Sequence, residues 1–93
     1  MGFFTLIIDY DGGTYISQAT AENIKTAPIA CVQNWQTEDI KHLISDQDRN
    51  LILEQLTKEE FVSINGLKNI WCGCAELNQH LLTMNLVLTK SAI

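Results

Sequence analysis

The chain has 93 residues, a net charge of −5 and 46% hydrophobic against 18% charged residues, which suits a single folded domain over residues 1–93 and argues against disorder. With one arginine and no basic cluster it lacks the counterion-releasing surface that DNA, RNA or an anionic membrane would need. No apolar run approaches the roughly 18 residues of a membrane span, and Met1-Gly2-Phe3-Phe4 has no basic stretch of the kind that opens a signal peptide.

Phe3–Tyr10 is rich in β-formers, Asp11-Gly12-Gly13 is a tight-turn signal, and Thr14–Thr20 is again β-rich. Residues 3–20 therefore read as a hairpin. Pro28 belongs in a first helical turn, so Thr26 is the expected N-cap of a helix reaching about Trp35. Ile29, Val32 and Trp35 give that helix an apolar face, with Ala30 and Cys31 beside them. Thr37-Glu38-Asp39 is a second start signal, and Ile40, Leu43 and Ile44 follow at helical spacing. Ser45–Asn50 is polar and interrupts the pattern. Leu51-Ile52-Leu53 with Leu56 predicts one more short helix, capped by Asp46 or Asp48. Phe61–Leu67 reads either as a short strand or as an extended arm ending at the Asn65-Gly66 turn. Asn69–Leu77 and His80–Thr89 predict two strands joined at Asn78-Gln79.

The expected fold is α+β: a four-stranded, largely antiparallel sheet in the order β-β-α-(α-α)-β-β, with helices packed on one face. A two-residue loop at Asn78-Gln79 pairs Leu77 with His80, Ala75 with Leu82, Gly73 with Met84 and Trp71 with Leu86. The core face then holds Trp71, Ala75, Leu77, Leu82, Met84, Leu86 and Leu88. Counting around Asp11-Gly12 adds Phe4, Leu6, Ile8 and Tyr10 with Tyr15, Ser17 and Ala19. The opposite face takes Phe3, Thr5, Ile7, Thr14, Ile16, Gln18, Ile70, Cys72, Cys74, Leu81, Thr83, Asn85 and Val87. It is about half apolar, unlike a solvated sheet face that alternates polar outward. Trp71 is expected to be buried against the helix that offers Ile29, Val32 and Trp35.

Three cysteines (Cys31, Cys72, Cys74) are too few and too uneven for a secreted disulfide scaffold, which points to reduced thiols in a cytoplasm. Zinc would want paired ligands at C-x2–4-C or H-x3–5-H spacing, whereas Cys72 and Cys74 are C-x-C on a strand. No metal or cofactor is expected. A cysteine nucleophile would need His80 beside Cys72 or Cys74, yet the register places His80 on the other face. Asp9 and Asp11 flank a turn, where aspartate is ordinary, and Gly12-Gly13 leads into no helix that could receive a phosphate. No catalytic residue is expected. Thr37–Glu60 concentrates seven acids against three bases, including Glu38, Asp39, Asp46 and Asp48. Such a run is either a solvated helix face or a docking surface for a basic partner.

Along Asp9-Tyr10-Asp11-Gly12-Gly13-Thr14-Tyr15-Ile16-Ser17-Gln18, and again along Asn65-Gly66-Leu67-Lys68-Asn69-Ile70-Trp71-Cys72, the chain resembles a group of small bacterial proteins without an assigned function. That resemblance implies a stand-alone bacterial cytoplasmic protein and carries over no catalytic residue. Size and acidity are also similar to those of immunity proteins that neutralise bacterial toxins.

The leading expectation is a non-enzymatic module that binds a protein partner or forms a homodimer. Its expected contact residues are Phe3, Thr5, Ile7, Ile16, Gln18, Cys72, Cys74, Leu81, Thr83 and Asn85 on the sheet, with Glu38, Asp39, Asp46 and Asp48 in the acidic segment. The alternative is an immunity-type or regulatory inhibitor that docks its acidic segment on a basic protein. A small enzyme is the third reading.

Overall fold

A computed structural model describes residues 1–35 and 45–91 of the chain. β1 (Gly2–Tyr10) and β2 (Gly13–Ala21) form the first hairpin. Asp11 (φ 47°) and Gly12 (φ 81°) both sit at positive φ, the primed-turn geometry whose twist matches the strands it joins. The register runs from Gly2↔Ala21 to Tyr10↔Gly13, as counted from the sequence.

α1 (Ala27–Gln33) has Pro28 in its first turn. Thr26 occupies the cap position, but its side chain accepts no capping hydrogen bond. Asn23 acts instead: its Oδ1 accepts from the backbone N–H groups of Lys25 and Thr26, each at 3.0 Å. The helix expected from Thr37 to Ile44 lies outside the described residues. α2 (Asp46–Leu56) starts inside the stretch that reads as a polar interruption. Its cap is Ser45, not Asp46 or Asp48. Ser45 Oγ accepts from the Asp48 N–H at 3.1 Å, and the Asp48 carboxylate accepts from the Ser45 N–H at 3.2 Å. This reciprocal pair is a capping box, so polar residues that break an apolar pattern here open a helix.

The sheet has five strands, not four, in the order β2-β1-β5-β4-β3, and all neighbours are antiparallel. Among the described residues the chain order is β-β-α-α-β-β-β, which corrects the expected β-β-α-(α-α)-β-β. The additional strand is β3 (Val62–Ser63), paired through Val62↔Cys72 and Ser63↔Trp71 to β4 (Ile70–Leu77). Two residues are too few to show an alternation. Phe61, just before them, has a separate task. Carried back one step, the register sets it opposite Gly73, and its ring lies 2.8 Å from where a Gly73 Cβ would stand. The phenyl ring fills the space that the strand glycine leaves open. β5 (His80–Ser91) follows β4 through Asn78 (φ 53°) and Gln79 (φ 67°), in the expected register. It then pairs with β1 from Gly2↔Ser91 to Asp9↔Thr83, with a bulge between Phe3 and Phe4. The latest strand in the chain thus lies in the middle of the sheet.

Both helices pack on one sheet face. Leu6, Ile8, Leu82, Met84 and Leu86 meet Cys31 and Val32 of α1 and Ile52 and Leu56 of α2 in one buried cluster. Arg49 of α2 donates from Nη2 to the Trp35 carbonyl at 3.2 Å, tying the helices together at that end. Trp71 lies on this face as counted, but it is only half-buried at the margin, with its ring centroid 6.4 Å from that of Phe4. The buried tryptophan is Trp35, at 5% exposure.

Candidate interaction surface

Pleating sends alternate residues of each strand away from the helices, and the sheet order lines them up in rows. One row runs Ile16, Ile7, Asn85, Cys72 and Val62 across all five strands. The row beside it runs Thr14, Asp9, Thr83 and Cys74, and on the other side lie Gln18, Thr5, Val87 and Ile70. Phe3, Thr5, Ile7, Ile16, Gln18, Cys72, Cys74, Leu81, Thr83 and Asn85 are therefore brought together on one face, opposite both helices. Several of its apolar side chains are open to water: Ile16 is 64% exposed, Leu81 63% and Val62 57%. Val62 belongs to this surface and is missed by sequence reasoning. Its only signal is a β-branched residue ahead of the Asn65-Gly66 turn, where Leu67 N–H donates to the Ile64 carbonyl at 3.1 Å.

Polar residues on this face satisfy one another across strands. Gln18 Nε2 donates to Thr5 Oγ1 at 2.9 Å, Thr5 and Thr89 share a hydroxyl hydrogen bond, and Thr14 Oγ1 donates to Asp9 Oδ1 at 2.7 Å. These bonds restrict the rotamers of the side chains they join. A shallow depression of about 480 Å³ lies between Glu59, Glu60, Cys72, Cys74, Thr83 and Asn85.

Asp46 and Asp48 do not join this surface. They sit in the first turn of α2, on the helical side of the sheet, where a negative charge suits the helix dipole and Asp48 also completes the capping box. Glu38 and Asp39 lie outside the described residues.

All three thiols are free. Cys31 is buried in the core, Cys72 is half-buried and Cys74 is exposed. Burial pushes the Cys31 thiol up to about 11, partly offset by backbone hydrogen bonds at Ala19 and Leu6. His80 packs its ring edge-on against Tyr10 on the helical face, with centroids 6.2 Å apart, so the sheet separates it from Cys72 and Cys74. Among the described residues, no group of three or more His, Cys, Asp or Glu side chains is gathered to hold a metal ion. No described helix is long and apolar enough to cross a membrane. No family model, curated protein or solved structure matches the chain.

Proposed function

We propose that this protein is a non-enzymatic protein-binding module whose partner is a second copy of itself. One observation carries the reading: a five-stranded sheet with both helices on one face and exposed Ile16, Leu81 and Val62 on the other. Apolar side chains left open on a sheet face that no described helix covers support an interaction role for that face. A patch that meets its own copy closes a two-fold dimer without further assembly. The free thiols at Cys72 and Cys74 suit a reducing compartment such as the cytoplasm, where they would not cross-link neighbouring copies. Size-exclusion chromatography with light scattering tests the proposal over a concentration series. A dimer that gains population with concentration is expected, and a strict monomer at high micromolar concentration overturns it.

A further inference from the structure

The two edges of the sheet are built differently. On the β4 side, the two-residue β3 covers Trp71 and Cys72, and α2 clips the edge further along at Glu76. Gln55 Nε2 donates to the Glu76 carbonyl at 2.7 Å, while Gln55 Oε1 accepts from the Glu76 N–H at 2.8 Å. One side-chain amide thereby takes the place of a neighbouring strand. Glu59, Glu60 and Lys68 flank β3 with charge. Short strands, covering groups and charges are the usual protections against edge-to-edge pairing.

Among the described residues β2 has fewer of these protections. It is nine residues long, Gly-Thr-Tyr-Ile-Ser-Gln-Ala-Thr-Ala, with no charge and no proline. A two-residue loop makes Tyr10↔Gly13 a hydrogen-bonded pair, and such pairs alternate along the ladder. Thr14, Ile16, Gln18 and Thr20 therefore turn their backbone N–H and C=O groups away from β1. Among the described residues a single side chain reaches this outward edge, Asn34, whose Nδ2 donates to the Gln18 carbonyl at 3.2 Å. That bond confirms the direction in which the even-numbered groups point, and it leaves Thr14 and Ile16 without a partner among the described residues.

We infer that two copies pair antiparallel along β2, about a two-fold axis at Ile16, to form one continuous sheet of twice the width. This rests on the self-association proposed above and moves the contact from the open face to the β2 edge, with Ile16 common to both. An antiparallel strand is its own complement: Ile16 exchanges both backbone hydrogen bonds with Ile16 of the second copy, and Thr14 and Gln18 pair reciprocally. The Gln18 carbonyl keeps a lone pair for this beside the Asn34 bond. On the open face the Ile7–Ile16 row runs on into the same row of the second copy. Exposed Ile16 thus gains an apolar cross-strand neighbour.

The test combines light scattering with amide hydrogen exchange read residue by residue. In the dimer the Ile16 amide should become protected as concentration rises, while in dilute monomer it exchanges freely. Ile16→Lys keeps the N–H but sets two like charges across the axis, and should weaken dimerisation at least tenfold. Leu51→Lys, exposed on α2 and away from β2, should leave it unchanged. A wild-type dimer whose Ile16 amide still exchanges freely overturns the β2 geometry and leaves self-association standing. A wild-type protein that stays monomeric overturns both. Exchange on the wild-type chain decides the matter even if Ile16→Lys does not fold.

Discussion

Gln79, exposed in the second hairpin turn, holds φ at 67°. Left-handed backbone costs an ordinary L-residue about 1–2 kcal/mol, a cost that glycine avoids. Gln79→Gly should therefore stabilise the protein by about 0.5–1 kcal/mol after glycine's larger unfolded-state entropy is counted. A thermal melt that falls would refute the assignment of strain. Cys31 gives a second expectation at this scale. In the unfolded chain its thiol ionises near about 8.5, whereas in the core it holds its proton up to about 11. Between those values the unfolded state has released the proton and the folded state has not, so folding weakens as pH rises through this window. Urea midpoints at about pH 8 and about pH 10 should fall further for the wild type than for Cys31→Ala. Equal losses would mean that the thiol is not linked to folding.

Among the elements, the pairing of Phe61 with Gly73 is the most exposed to test. A Cβ at residue 73 would meet the Phe61 ring at 2.8 Å, so Gly73→Ala must displace the ring from its place over the strand. A cost of about 1–3 kcal/mol is expected. In a Phe61→Ala background the same substitution should cost almost nothing, and undiminished loss in that background would show that the two do not interact. The same contact explains what the sequence could not reveal. Both hairpins were legible because two-residue turns and alternating side chains fix register together, and with it the two faces. β3 was legible only as one of two readings of Phe61–Leu67, because its place depends on a ring filling a gap left by a glycine twelve residues later in the chain. The cap of α2 was misread for a related reason: Ser45 and Asp48 satisfy each other's backbone, and neither residue appears in an apolar pattern. The open sheet face was largely legible, since it is the complement of the core face. Val62 was lost with β3.

For the molecule as a whole, the two tryptophans should separate core from margin. Trp35→Ala empties a site that is almost wholly buried and should cost about 3–5 kcal/mol, enough to leave a domain of this size barely folded. Trp71→Ala removes a half-buried ring from the margin and should cost about 2 kcal/mol, with a cooperative melt retained. Equal losses would place Trp71 in the core after all. The sheet order sets one more property, which concerns time rather than stability. β1 meets β2 across a two-residue turn, but its other neighbour is β5, and nearly the whole chain separates Gly2 from Ser91. The closure entropy of that long loop must be met before any of its contacts form, which slows folding toward the millisecond-to-second range typical of non-local β pairing. Until β5 arrives, β1 stands at the border of an incomplete sheet with its apolar residues facing water. The interval in which this chain is most open to misassembly ends only when its latest strand takes the central place.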